Sequence, residues 1–256
     1  MKDVPTILRL RNVTKWFGGL KAVDSVTIDF RERKITGLIG PNGAGKTTLF
    51  NLINGFLRPD SGEIYYRNIR IDHLMPWEIA KLGIGRLFQD VRIFRKLTVL
   101  ENVLTGKPSH PGEALTPLLF SLRKVRKIEA HLLDEAHHWI EFVGLTGKEH
   151  APAESLSYGQ QKLLSLARLL VGGYDLLLLD EPTAGVNPVM ARKILDIIKK
   201  MVTEEGKTVI FIEHNMNVVV EIADWVYFLD EGKLAGMGRP QDILGDVNVR
   251  KAYLGI

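Results

Sequence analysis

Eight consecutive residues, Gly40-Pro41-Asn42-Gly43-Ala44-Gly45-Lys46-Thr47, fit the pattern G-x-x-x-x-G-K-[ST]. That spacing suits a phosphate chain. Glycines let the backbone curl so that successive N–H groups and the start of the next helix face one anion. Lys46 adds a point charge, the Thr47 hydroxyl can ligate Mg²⁺, and Thr48 follows in the same turn. The apolar run Ile35-Thr36-Gly37-Leu38-Ile39 stands before the loop, and Leu49, Leu52, Ile53 and Phe56 recur at helical spacing after it. Strand, glycine loop, helix is the order the chemistry needs, so the segment reads as a nucleoside triphosphate site rather than an incidental turn.

A second set of reactive groups ends the run Leu176-Leu177-Leu178-Leu179-Asp180-Glu181. A buried strand delivers both carboxylates at its C-terminal end, where α/β sheets place ligands. Asp180 suits the metal, and Glu181 is then free to orient and deprotonate an attacking water. A solvent-facing acidic pair is the bland alternative, and the glycine loop argues against it. A third segment, Leu156-Ser157-Tyr158-Gly159-Gln160, precedes a helix. Ser157, Gly159 and Gln160 there present a hydroxyl and backbone N–H groups at a second helix start, a second place for phosphate.

The elements that hold these residues follow from periodicity. Val26, Ile28 and Phe30 alternate with Thr27 and Asp29, and Glu63-Ile64-Tyr65-Tyr66 is strand-like, so the first ninety residues read as strands with one embedded helix. From about Leu97 to Ala153 the texture is helical, with Val125, Ile128, Leu132, Ile140 and Val143 leading to Gly144. A helix through Leu163, Leu166, Ala167 and Leu170, one opening at Asn187-Pro188, and the strand Thr208–Ile212 complete an alternating pattern. Apolar runs without alternation predict a parallel sheet covered on both faces.

Composition limits the function. The 256 residues are 45% hydrophobic and 25% charged, as in ordinary globular proteins, which excludes disordered and fibrous classes. With no cysteine, disulfide scaffolds, thiolate metal sites and cysteine nucleophiles are out, and a reducing compartment is the fitting one. The start lacks a signal-peptide pattern, and the longest apolar stretch, Leu163 to Leu179, is broken by Arg168, Gly172, Gly173 and Asp175. A net charge of +4 is scattered and selects no partner. His131, His137, His138 and His150 lack metal-site spacing and read as surface residues.

Taken together, the glycine loop, the Asp180-Glu181 strand end and the Ser157 segment resemble the ATP-binding cassettes of ABC transporters, over essentially the whole chain. That resemblance implies an α/β P-loop ATPase with an N-terminal antiparallel β subdomain and an inserted α-helical subdomain. The boundaries it suggests are 1–90 and 157–240 for the two parts of the ATP-binding core, 91–156 for the helical signature subdomain and 241–256 for a C-terminal helical tail. It implies ATP and Mg²⁺, with Gln89 touching metal and water, His214 on the γ-phosphate, and Phe17, or else Trp16, stacking on adenine. Ala184-Gly185-Val186-Asn187 takes the D-loop position at a dimer interface. Tyr158, where the signature usually has glycine, and Asn187, where many cassettes have aspartate, depart from the pattern.

The segments Phe88–Asn102, Leu156–Gln161, Ile212–Met216 and Ala252–Gly255 further resemble the LivG-type ATPases of branched-chain amino acid importers. Implied partners are transmembrane permease subunits, a second ATPase subunit (a copy or a sister cassette) and, indirectly, a periplasmic or extracellular binding protein, but no nucleic acid. The implied location is the cytoplasmic face of the membrane. Alternatives are a cassette for another substrate or a non-transport cassette, a regulatory module without turnover, and a small-molecule kinase. The kinase leaves Leu156–Gln160 unexplained, and the regulatory module leaves Glu181 and His214 without a use.

Overall fold

A computed structural model describes residues 4–108, 122–246 and Val249. Two compact units emerge: Met1–Arg86 with Asp175–Pro182 and Ile198–Ile256, and Leu87–Tyr174 with Thr183–Ile197.

The first unit holds two sheets. Strands β1 (Thr6–Phe17), β2 (Leu20–Arg31), β4 (Ser61–Tyr66) and β5 (Ile69–Arg70) form an antiparallel sheet in the order β2-β1-β4-β5. The alternation along β2 is as expected, with Val26, Ile28 and Phe30 buried and Thr27 and Asp29 exposed. A larger sheet contains β3 (Ile35–Ile39), β6 (Ile84–Leu87), β7 (Leu176–Asp180), β8 (Thr208–Ile212), β9 (Trp225–Asp230) and β10 (Lys233–Gly238), in the order β10-β9-β3-β8-β7-β6. Strands β9, β3, β8 and β7 run parallel. Every residue of β3, β7 and β8 is buried, the reason those segments lack polar alternation. Sequence patterning leaves β9 and β10 unassigned. Their hairpin turns through Glu231 and Gly232, both at positive φ, the backbone that tight two-residue turns need.

Helix α1 (Lys46–Ile53) buries Leu49, Phe50, Leu52 and Ile53 in one cluster with Leu38 of β3, Ile210 and Ile212 of β8 and Leu229 of β9. Phe56, read as part of that helix, lies beyond its end and is exposed, because the chain turns at Gly55 with φ of 72°. The first ninety residues also hold a second helix, α2 (Pro76–Leu82). Pro76 starts it, the Met75 N–H donates to Glu78 Oε2 at 2.8 Å, and Gly83 ends it. Only Ile79 is buried, so a seven-residue helix leaves no periodic signal.

The second unit contains α3 (Val99–Leu104), α4 (Leu122–Phe142) and α5 (Tyr158–Leu170), packed on one another. Ile140, Val143, Val103, Leu163 and Leu166 are buried. His131, His137, His138 and His150 are exposed. Helix α6 (Pro188–Thr203) spans both units, and α7 (Met216–Ile222) and α8 (Pro240–Gly245) complete the first. Among the described residues no helix is long and apolar enough to cross a membrane.

Candidate functional site

In the first unit the glycine loop leaves β3 and enters α1 at Gly45. Two of its glycines answer to packing as well as to phosphate. A Cβ on Gly40 would lie 2.1 Å from the Leu229 carbonyl oxygen, and one on Gly45, at φ of 94°, would lie 2.3 Å from that of Ala22. Both clashes are with backbone, which cannot step aside. The loop closes with Ala44 N donating to Pro41 O at 3.2 Å, and it leaves Asn42, Gly43 and Thr47 exposed and Thr48 half-buried.

Lys46 lies 5% exposed, its Nζ donating to Gly40 O and Pro41 O, both at 2.8 Å. An ammonium has three protons, so one remains for a ligand. Burial lowers the Lys46 pKa, and the carboxylates of Glu181 and then Asp180 oppose that shift. The two halves of the chemistry read from sequence therefore share one electrostatic neighbourhood.

Asp180 ends β7 and Glu181 follows it. Asp180 Oδ2 accepts from Arg86 Nη2 at 3.0 Å, with the two side chains 9% and 4% exposed. Glu181 sits at φ of 45°, a costly backbone for a side-chain-bearing residue, with its N–H donating to Ile212 O at 3.1 Å. The backbone bond places Glu181 beside the end of β8, and His214 Nε2 is 3.1 Å from Glu181 Oε1. The sequence gives His214 and Glu181 separate roles; the fold makes them partners. Next to them Glu213 is buried, and its Oε2 accepts from the His214 N–H at 3.2 Å.

Phe17 and Trp16 are both about half exposed at the end of β1, beside the Gly18-Gly19 turn. Lys15 Nζ lies 5.8 Å from the Phe17 ring centroid and Lys21 Nζ 4.8 Å from that of Trp16. The assignment of either ring to adenine rests on the sequence resemblance, and an exposed aromatic face is the kind of surface on which a flat ring stacks.

In the second unit Ser157 is the N-cap of α5. Its Oγ accepts from Gln160 N at 3.4 Å, and Gln160 Oε1 accepts from Ser157 N at 3.0 Å. Ser157 and Tyr158 are exposed, and no acidic residue occupies the helix's first turn, which leaves its positive end available to an anion. Tyr158 packs near Gly185, within the D-loop segment, and Lys162 lies 5.6 Å from its ring centroid. Gln89 is exposed two residues past β6, and its assignment to metal and water rests on the sequence resemblance.

For Mg²⁺ the donor set fits. The ion takes hard oxygen ligands from one or two protein side chains, the rest from water and phosphate. Asp180 Oδ1 accepts no hydrogen bond among the described residues, and Thr47 supplies an exposed hydroxyl one residue from Lys46. The residues that sequence reasoning misses are Arg86 and Asn51, joined at 2.6 Å behind Asp180. Their one visible trace is a cation in a short strand three residues before Gln89.

A triphosphate-binding loop, a carboxylate pair at a strand end and a histidine on the second carboxylate define a nucleotide-hydrolysing P-loop protein. Residues 23–184 match the family described as ABC transporter. The chain is 38% identical over 249 residues to the high-affinity branched-chain amino acid transport ATP-binding protein LivG of Salmonella typhimurium, covering 97% of this chain and 98% of that one. The ADP conformation of MJ1267, an ATP-binding cassette of an ABC transporter, superposes with a TM-score of 0.85 at 36% identity, covering 98% and 100% of the two chains. The dimeric post-hydrolysis structure of the cassette MJ0796 bound to ADP and Pi matches with a TM-score of 0.70 at 28% identity over 91% and 98%. The chain thus belongs to the ABC transporter family, as an ATP-hydrolysing cassette.

Proposed function

We propose that this cassette powers import of branched-chain, hydrophobic amino acids through separate permease subunits, held by them at the cytoplasmic face of the membrane. The observation that carries the reading is the near-full-length identity to LivG, whose name states that transport. Substrate choice would lie in the partners, since every group assigned here serves nucleotide.

In this reading Lys46, with one proton left over, and the loop N–H groups hold the β- and γ-phosphates of ATP. Thr47 and Asp180 would hold Mg²⁺, which neutralises phosphate charge when bound. Glu181 takes a proton from the attacking water as oxygen bonds to the γ-phosphorus, and the bond to the β-phosphate oxygen breaks with its electron pair leaving on ADP. His214, 3.1 Å from Glu181, keeps that carboxylate aimed and places its own ring at the terminal phosphate. Ser157, Gly159 and Gln160 of a second cassette close the other side, since their helix start is exposed and acid-free. Loss of the bridging charge on hydrolysis then lets the two cassettes separate, and that cycle moves the permeases.

Two variants test it. Glu181→Gln should keep ATP binding, lose roughly 10²- to 10⁴-fold in turnover and accumulate an ATP-dependent dimer on a sizing column. Normal turnover would remove Glu181 from the base role. Ser157→Arg should abolish hydrolysis with ATP binding intact; lost binding would argue against a site shared between cassettes. Leucine uptake by the reconstituted complex with its permeases tests the substrate, and uptake of unrelated solutes alone would reject it.

A further inference from the structure

Arg86 is a buried cation that none of the assigned roles uses. Its Nη2 donates to Asp180 Oδ2 at 3.0 Å, its Nη1 to Asn51 Oδ1 at 2.6 Å, and its guanidinium lies 5.5 Å from the centroid of the fully buried Phe50 ring. Three elements meet at this one fork: β6 carries Arg86, β7 carries Asp180, and α1, the helix that the glycine loop opens, carries Asn51 and Phe50. The guanidinium side chain is 4% exposed, so solvent does not compete for it.

We propose that Arg86 is the positioning residue of the metal carboxylate: it clamps Asp180 Oδ2 to α1 and thereby dedicates Oδ1 to the cation brought in with nucleotide. The inference rests on the reading of Asp180 as a metal ligand. A free carboxylate rotates about its Cβ–Cγ bond and offers either oxygen. A fork anchored at both ends removes that freedom and ties the distance from Asp180 to Thr47 to the rigid backbone of α1. Lysine is a poor substitute, since it lacks the planar guanidinium whose separate nitrogens hold the Asp180 and Asn51 oxygens at the two ends of one rigid fork. Groups that orient a metal ligand change metal affinity by about 10- to 100-fold when lost.

The test is a Mn²⁺ titration of the full chain with the non-hydrolysable β,γ-imido analogue of ATP, read by electron paramagnetic resonance. Arg86→Lys should raise the half-saturating Mn²⁺ about tenfold or more. Asn51→Ala, which leaves the ion pair in place, should shift it in the same direction by less. Binding of a trinitrophenyl-labelled ATP in excess chelator should match the unmodified protein for both. Unchanged or tighter Mn²⁺ binding by Arg86→Lys would overturn the inference, as would a parallel loss of metal-free nucleotide. Should Arg86→Lys not fold, Asn51→Ala decides alone, and an unshifted titration rejects the clamp. No Mn²⁺ uptake by the unmodified protein would instead reject the metal assignment of Asp180 itself.

Discussion

The glycine loop and the Ser157 segment, the two places proposed to meet phosphate, both open a helix, yet they are built in opposite ways. Behind the loop, Lys46 and Asp180 are buried, Gly40 and Gly45 press on backbone, and Arg86 bolts strand to helix. Ser157, by contrast, is exposed and, among the described residues, bonded only within its own first helical turn. The first region is fixed by the core and is complete within one chain. The second is anchored by the buried face of its helix but offers its own polar groups outward, the arrangement expected of a surface that closes over a phosphate held elsewhere.

Stability should register that contrast most strongly at Asp180. Asp180→Ala leaves Arg86 buried without its carboxylate and should cost about 3–5 kcal/mol in denaturant unfolding. A loss under 1 kcal/mol would mean that the pair is not held from behind. Gly40→Ala should follow, at about 2 kcal/mol or more, since the added carbon meets the Leu229 carbonyl. Its counterpart Gly159→Ala brings the added carbon to 2.6 Å from Met190 Cγ, a side chain that can shift where the Leu229 carbonyl cannot, and should cost less than Gly40→Ala by the same measurement. Ser157→Ala should cost about 1 kcal/mol, the value of an N-cap. Ser157→Asp should recover that stability, because aspartate caps equally well, but should not recover hydrolysis, because it sets an anion against the phosphate. Full activity with aspartate would reduce Ser157 to a helix cap.

Legibility in the sequence followed the same divide. The loop, the Asp180-Glu181 strand end and the parallel strands were readable because each is a local pattern: fixed spacing, or an apolar run with no polar alternation. The end of α1 was legible in Gly55 and Pro59, the backbone turning at Gly55, although Phe56 continues the helical spacing beyond it. Helix α2 was hidden because one buried residue makes no period. The packing duty of Gly40 was invisible since its neighbour, Leu229, lies 189 positions along the chain. Arg86 was missed for the same reason, its partners Asn51 and Asp180 being 35 and 94 residues away. The contact between His214 and Glu181 likewise depends on β7 lying beside β8. Sequence patterns name the reactive groups, whereas their supports come from distant strands.

The most direct test is a structure of the Glu181→Gln protein with ATP and Mg²⁺. The account predicts two cassettes face to face, each terminal phosphoryl group touched by Lys46 of one and by Ser157 and Gly159 of the other. A single protomer satisfying every oxygen of that phosphoryl group, with the Ser157 hydroxyl still turned to Gln160 N, would contradict it.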